Sequence, residues 1–374
     1  MKIICLFDSH TFDMEPQGTS TFLGGLINAL PTVLAKHFPG VELGIHCAAT
    51  SAANVANYIK VPHTFQPVNT GFVGRNVLGL PRLARRIGAD VVISQYVRPV
   101  WVPKYSISII HDLLFVDFPE QFSAKYRISR QILFGLSARF SSKVFTVSEY
   151  SRDRIADIYK MDGKRIGILP NAIDVAALKP VAAASTAPDK KPVQLLYVSR
   201  LEQRKRHEWC VRAFEDLRQE GRDVQLTLIG GGGGDYANHL RYKLAALSAR
   251  HDGRLTHLEG ISQAQLQSAY AGADVFLFPS LGEGFGIPVI EAAAQGVPCV
   301  VTDGSALSEL SAFYAGASFK PDNYPQFLQI IRNTIDHLDH FKAAAHENIA
   351  KVTGYFSWEV TAQRFVASVL ELGQ

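Results

Sequence analysis

Short apolar runs alternate with helix-patterned stretches along the whole chain, and this alternation restricts the fold more than any other feature. The runs Lys2 to Phe7, Val41 to Cys47, Asp90 to Ser94, Ser106 to Ile110, Lys143 to Val147 and Ile166 to Leu169 form a first set. Gln194 to Val198, Gln225 to Ile229, Leu255 to Leu258, Asp274 to Pro279 and Pro298 to Thr302 form a second. Apolar runs of this length, separated by stretches long enough for crossover helices, predict buried parallel strands and an α/β chain with two sheets. Between the sets, Lys179 to Pro192 reads KPVAAASTAPDKKP, a small, polar, proline-bearing composition that suits an interdomain linker. The expected organisation is a first domain at 1–174, a linker at 175–192, a second domain at 193–354 and a closing segment at 355–374. The closing segment carries Trp358, Phe365, Val366, Val369 and Leu370 at helical spacing. With 374 residues, 47% hydrophobic and 19% charged, the chain is long enough to build two full cores.

Other classes are disfavoured. Cys5, Cys47, Cys210 and Cys299 are scattered without zinc or redox spacing, which predicts reduced thiols. The amino-terminal apolar run is too short for a signal peptide, and no run is long enough to cross a bilayer. The expected location is the cytoplasm, at most peripheral to the inner face of the plasma membrane. Basic residues lack the aromatic interleaving of nucleic-acid binders, so no nucleic-acid partner is expected.

The chemistry concentrates in Ser280 to Gly296, SLGEGFGIPVIEAAAQG. It follows the apolar run DVFLFP, Asp274 to Pro279, so the glycines stand at a strand end. Pro288 suits a first helical turn, and Gly296 with Pro298 marks the helix end. Gly284 and Gly286 allow a ligand close to the main chain, and the helix amides favour an anion such as a diphosphate. Glu283 and Glu291 are poor partners for phosphate but good acceptors for sugar and ribose hydroxyls. The bland alternative is an ordinary capped helix with Glu283 near the cap and Glu291 on a solvated face.

Glu283, seven intervening residues and Glu291, with Gly284-Phe285-Gly286 and Pro288 between them, resemble the signature of family 4 retaining glycosyltransferases. That resemblance implies a GT-B fold, two facing Rossmann-like domains with parallel sheets and a deep interdomain cleft. It implies that Glu283 and the turn amides of Gly284, Phe285, Gly286 and Ile287 hold the donor sugar, and that Glu291 binds the ribose. It also implies that the closing segment crosses back onto the first domain, where pattern alone would equally let it cap the second.

Further candidates lie at other strand ends, where open parallel sheets bind ligands. Arg200 and Lys205 follow the run ending at Val198, and together they suit a diphosphate. The competing reading is a solvated basic turn, because Arg204 and Arg206 crowd the same stretch. The family pattern is glycine, arginine and, five residues on, lysine; Arg200 and Lys205 match it, while Ser199 replaces the glycine. Gly18 precedes an apolar helical run and reads either as a turn or as a donor-facing amide. The family's adjacent glycines come later here, at Gly24-Gly25. His111-Asp112 ends another buried run; a lone His is commonly structural, and Asp112 suits a cap. By resemblance to mannosyl-transferring relatives, His111 would contact the donor sugar across the cleft from Glu283. Gly260 and Ile261 occupy the place where relatives contact the base through the main chain. The run Gly230 to Gly234 lacks the Lys and Ser/Thr of a phosphate loop and reads as a strand-to-helix turn.

No Asp-x-Asp pair stands at a strand end, so no metal and no cofactor are expected, and Arg200, Lys205 and helix amides take the leaving-group charge. Charge divides unevenly. Residues 1–174 hold 19 Lys+Arg against 13 Asp+Glu, a difference of +6, and the remainder holds 19 against 21, or −2, which sums to the chain's +4. Gln121 to Lys143 carries Lys125, Arg127, Arg130, Arg139 and Lys143 with no acid, beside Ile128, Ile132, Leu136 and Phe140. Gly71 to Gly88 adds Arg75, Arg82, Arg85 and Arg86, again without an acid. A basic amphipathic helix either lies on an anionic membrane or turns its apolar side to the core. The expected partners are a nucleotide-sugar donor, with GDP-mannose first and a UDP-hexose second, and a glycan or lipid-linked acceptor. A sugar-nucleotide epimerase or a non-catalytic sugar-nucleotide binder are the alternative functions.

Overall fold

The computed structural model describes residues 1–14, 17–68, 71–175, 178 and 192–373. The expected linker at 175–192 falls outside the described residues except for Val175, Leu178 and Pro192. The chain forms two compact units, Met1–Ala172 with Phe356–Gln374, and Ile173–Tyr355.

The first unit holds β1 (Lys2–Asp8), β2 (Glu42–Ala49), β3 (Thr64–Pro67), β4 (Val91–Gln95), β5 (Tyr105–Ile109), β6 (Lys143–Thr146) and β7 (Ile166–Ile168). All pair in parallel in the order β3-β2-β1-β4-β5-β6-β7. Every residue of β4 is buried, as a strand covered by helices on both faces requires. One face packs Leu6 and Val92 against Leu80 and Leu83; another cluster joins Ile110, Phe134, Val144 and Ile155. The helix Trp358–Glu371 lies against the helix Gly18–His37 in this unit. Phe365 meets Phe7 at 6.2 Å between ring centres, and Thr361 Oγ1 donates to the Pro170 carbonyl at 2.9 Å. Gly25 makes room for it: a Cβ there would stand 2.1 Å from the Trp358 ring. Gly24 and Gly25 thus lie inside a helix, in a packing seam.

The second unit holds β8 (Val193–Val198), β9 (Val224–Ile229), β10 (Leu255–Leu258), β11 (Val275–Phe278), β12 (Cys299–Thr302) and β13 (Gly316–Phe319). They too are parallel, in the order β10-β9-β8-β11-β12-β13. In both sheets the order reverses once, at β1/β4 and at β8/β11, and a doubly wound sheet places its ligand crevice at the carboxyl ends of such strands. The four cysteines are buried and unpaired. No helix among the described residues is long and apolar enough to cross a membrane.

Candidate active site

The carboxyl ends of β8 and β11 bring together residues that lie far apart in sequence. β8 ends at Val198, and the chain passes Ser199 and Arg200 into a short 3-10 turn, Gln203–Lys205. β11 ends at Phe278 and leads into Ser280 to Gly286, which starts the helix Ile287–Ala294. Lys205 Nζ donates to Glu283 Oε1, and Arg204 Nη1 reaches both Glu283 Oε2 at 3.3 Å and the Gly282 carbonyl at 2.7 Å. Arg204 Nη2 donates to Glu202 at 2.8 Å, and Arg200 Nε lies 3.4 Å from the same carboxylate. Three cations and two carboxylates leave this cluster one positive charge in excess.

Burial and pairing act against each other here. Burial alone would raise the Glu283 carboxyl, but Lys205 and then Arg204 outweigh it and hold Glu283 below the usual carboxylate range. Burial also pulls the Lys205 ammonium down, against the attraction of Glu283, and Arg204 adds to that pull. Lys205 is further anchored at its carbonyl, which accepts from Tyr197 Oη at 2.5 Å, and its ammonium lies 5.8 Å from the Phe278 ring centre. The basic stretch therefore splits. Arg200 is 53% exposed at its side chain and has one ion pair among the described residues, whereas the Arg204 side chain is 11% exposed and locked to Glu283. Arg204 is the residue that sequence reasoning left in a solvated turn; only the adjacency of β8 and β11 singles it out. Arg206 has φ +54 and lies over Trp209 at 4.4 Å, outside the cluster.

The turn after β11 is held by its backbone. Gly286 has φ +110, and a Cβ there would come within 2.7 Å of Leu307, so only glycine fits. Gly284 and Ile287 are half-buried and Phe285 is buried, and the Glu283 amide donates to Ser305 Oγ at 2.9 Å. Glu291, in the helix, accepts from Tyr270 Oη at 2.8 Å, and burial pushes its carboxyl up to about 7 against that hydrogen bond. Ser199, which stands where the family has glycine, bonds His207 Nε2 at 3.1 Å, and its carbonyl sits where a Cβ on Gly230 would be at 2.0 Å. The glycines from 230 thus let the β9 turn approach the β8 turn. Gly260 has φ +62 and is exposed after β10, with Ile261 half-buried before the helix Gln263–Ala271.

In the first unit, His111 follows β5 and is buried. Its Nε2 lies 2.9 Å from Gln95 Oε1, and the Gln95 amide donates to Thr11 Oγ1 at 2.9 Å, so Oε1 accepts and His111 carries its proton on Nε2. Burial pushes the imidazole down to about 3, so it is neutral at physiological pH. Asp112 accepts from the Leu114 amide at 3.2 Å and from Tyr96 Oη at 3.3 Å. Gly18 is exposed at the start of its helix, which Gln17 caps together with Ser20. Among the described residues no three His, Cys, Asp or Glu side chains stand together as a metal ligand set.

Residues 179–347 match the family described as glycosyl transferases group 1, and residues 31–177 match Glycosyltransferase Family 4. The chain is 28% identical over 354 residues to a D-inositol 3-phosphate glycosyltransferase of Pseudarthrobacter chlorophenolicus, covering 82% of this chain and 80% of that one. It is 26% identical over 262 residues to the O-antigen chain mannosyltransferase B of Escherichia coli, covering 68% and 67%. Its fold matches that of Anabaena HepE, solved in complex with UDP-glucose, at a TM-score of 0.73 and 17% identity over 99% of this chain and 100% of that one. Two parallel sheets with reversed strand order, Glu283 in the turn and Glu291 in the helix after β11, the fold match and these two family matches along the chain lead to one conclusion: the chain belongs to the family 4 glycosyltransferases and has the GT-B fold.

Proposed function

We propose that this glycosyltransferase is a retaining, metal-independent hexosyltransferase that takes GDP-mannose by preference and a UDP-hexose as the second donor. The reading rests on one observation above the rest, the buried cluster of Glu283, Lys205 and Arg204 at the carboxyl ends of β8 and β11. Its excess positive charge favours a diphosphate, and Glu283 offers carboxylate oxygens to the hydroxyls of the sugar beside it. As the bond from the anomeric carbon to the diphosphate oxygen breaks, negative charge grows on the leaving group, where Lys205, Arg200 and the amides before Ile287 stabilise it. The acceptor oxygen bonds to the anomeric carbon on the face the leaving group vacates, and its proton passes to the departing phosphate oxygen. No protein nucleophile is assigned. Glu291 takes the ribose hydroxyls, the main chain at Gly260 and Ile261 takes the base, and Gly18 presents an amide to the donor.

His111 is proposed to contact the donor sugar as an uncharged group. A neutral imidazole adds no positive charge beside a sugar that becomes oxocarbenium-like, which a protonated histidine would. The preference for mannose rests on the His111-Asp112 pair and on the mannosyltransferase relative; the nucleotide of the HepE complex supports the UDP-hexose alternative.

The acceptor is proposed to be a glycan or lipid-linked sugar met at a membrane surface. The helix Ala124–Phe140 turns Ile128 and Ile132, 61% and 58% exposed, outward with Leu136 and Phe140, and carries Lys125 and Arg139 with no acid. The alternative of a core-facing apolar side does not hold for this stripe; the core contact is made by Phe134 and Ala138.

Nucleoside diphosphate release across a panel of GDP- and UDP-sugars, with and without a chelator, tests the donor and the metal independence. Proton NMR of the product tests retention. Inverted product, activity abolished by the chelator or equal use of all donors would each defeat the corresponding part. Intact donor turnover in His111→Ala would remove His111 from the reading.

A further inference from the structure

Two neighbouring helices of the second unit carry the candidates for base and ribose, and two buried polar bridges stitch these helices together. Gly260 and Ile261 lead into the helix Gln263–Ala271, whose start is fixed by a reciprocal cap between Ser262 and Gln265. Glu291 belongs to the helix Ile287–Ala294. Gln295 Nε2, just past that helix, donates to Gln267 Oε1 at 2.8 Å, and one turn along Tyr270 Oη donates to Glu291 Oε2 at 2.8 Å. Tyr270 is fully buried, its ring centre 5.7 Å from that of Phe276 in β11.

The two bridges differ in kind. Gln267 with Gln295 joins two neutral amides, whereas Tyr270 takes one oxygen of a carboxylate. Glu283 has Lys205 and Arg204 against it; Glu291 has no ion pair among the described residues, and its Oε1 makes no hydrogen bond to them. A carboxylate can accept about four hydrogen bonds, so a single hydroxyl leaves most of that capacity open to further donors. The surrounding elements leave Glu291 alone. Cys299 of β12 is buried and its thiol is pushed up by burial, Lys342 of the helix Leu338–Tyr355 is paired with Asp274, and His346 of the same helix stands by Gly296, beyond the end of the Glu291 helix. Among the described residues no charged side chain shifts the Glu291 carboxyl; burial raises it and the Tyr270 hydrogen bond lowers it.

We infer that Tyr270 is the positioning residue of the ribose site: it fixes Oε2 of Glu291, leaves Oε1 for the vicinal hydroxyls of the nucleotide, and ties that carboxylate to the helix that starts at the base segment. The inference rests on the ribose role proposed for Glu291. Burial, and then Glu291, hold the Tyr270 phenol far above its ordinary value, so it stays a donor wherever Glu291 titrates. Without that donor, burial acts on Glu291 unopposed. A buried tyrosine whose hydroxyl only needed an acceptor would matter to folding alone.

Calorimetric titration of the full chain with GDP and UDP, each beside its 2′,3′-dideoxy form, between about pH 6 and 9 separates these roles. The ribo form should bind about tenfold or more tighter once Glu291 is ionised, because a hydrogen bond to a charged group supplies that much. That ratio should fall away below an inflection near 7. Tyr270→Phe should move the inflection up and reduce the ratio just above it by about threefold or more. Tyr270→3-fluorotyrosine, a stronger donor of nearly the same size, should move the inflection down. Gln267→Met breaks the neutral bridge and should lower stability while leaving ratio and inflection in place. On a Glu291→Gln background Tyr270→Phe should cost nothing further in the ratio, because its partner is gone. Should Tyr270→Phe fail to fold, the direction of the fluorotyrosine shift decides. An inflection that ignores both Tyr270 changes, or moves as far in Gln267→Met, would overturn the inference. A wild-type ratio of one, or a ratio that survives Glu291→Gln, would refute the ribose reading and this inference with it. A ratio lost in Glu291→Gln but kept in Tyr270→Phe would refute this inference alone.

Discussion

The two sheets reverse their strand order in the same way, and each unit buries a different polar group beside the reversal. At β8/β11 a carboxylate and two cations are buried together and remain charged; beside β4 a histidine, a glutamine and a threonine form a neutral chain. Burial acts on both, yet it leaves Glu283 ionised because Lys205 and Arg204 face it, and it strips the charge from His111, whose Nε2 meets the uncharged Gln95 amide. The difference teaches that depth alone does not set the protonation state of a site residue. What faces the residue decides.

The largest expected effect follows from that contrast. Glu283→Ala strands two buried cations, and breaking such a pair costs about 3–5 kcal/mol. Gln95→Ala leaves a neutral imidazole without its acceptor, which costs about 1–3 kcal/mol. Urea unfolding of the two variants should rank them in that order, and a reversed ranking would break the comparison. Lys205→Met removes one stabiliser of the leaving group and should lower donor turnover by about 10²–10³.

Backbone constraints give the next effects. Gly286→Ala meets both a left-handed φ of +110 and Leu307, and should cost about 1–3 kcal/mol along with donor affinity, since the turn amides move. Gly25→Ala, in the first unit, drives a methyl into Trp358 and should cost about 1–3 kcal/mol by overpacking, with the loss appearing as exposure of the helix Trp358–Glu371 to protease. If Gly25→Ala also removed donor binding as Gly286→Ala does, the distinction between a packing glycine and a site glycine would fail.

Much of this was legible in the sequence, for identifiable reasons. Eleven strands announced themselves as apolar runs; β3 and β13 did not. Both are edge strands, with β3 reading TFQP and ending in proline, and β13 reading GASF with three small residues, so neither carries the β-branched signal of a strand covered on both faces. Glu283, Gly286 and Lys205 stood out because strand ends and glycine turns are local. The ion pair between Glu283 and Lys205 did not, because it spans 78 positions and exists only where β8 and β11 are neighbours. Arg204, Lys205 and Arg206 look equivalent as letters. The left-handed φ of Arg206 turns it away while the 3-10 turn before it points the other two inward. On the helix Ala124–Phe140 the spacing of Ile128, Ile132, Leu136 and Phe140 was plain, but periodicity does not say which side meets the core.

A smaller, pH-dependent effect sharpens the comparison of the two crevices. The Glu291 carboxyl stands at about 7 in the folded chain against an ordinary 4.5, so folding favours its protonated form. Its contribution to stability is therefore complete below about 4.5 and is lost as pH rises to about 7. Nucleotide binding should run the other way, because the ionised carboxylate is the better acceptor for ribose hydroxyls. Affinity should gain up to about tenfold between pH 6 and 8, the span over which a group near 7 ionises. Glu291→Gln should flatten both trends. His111, pushed down to about 3, contributes nothing in that range, so an inflection near 7 that survives Glu291→Gln would break the account of both residues.

The smallest effect on folding is expected where the chain is most unusual on its surface. Ile128→Ser with Ile132→Ser alters side chains that touch mostly solvent and should change folding stability by no more than about 0.5 kcal/mol. Phe134→Ala, on the core side of the same helix, should cost about 3–5 kcal/mol. Membrane binding should invert this ranking. Co-sedimentation with anionic vesicles at low salt should weaken sharply in the double isoleucine variant. It should lose about 1 kcal/mol for each of Lys125→Gln and Arg139→Gln, with the charge-dependent part disappearing as salt is raised. If wild-type chain fails to sediment with such vesicles, the stripe is not a membrane contact. If it sediments and the isoleucine variant sediments equally, charge alone does the binding and the apolar face has no part in it.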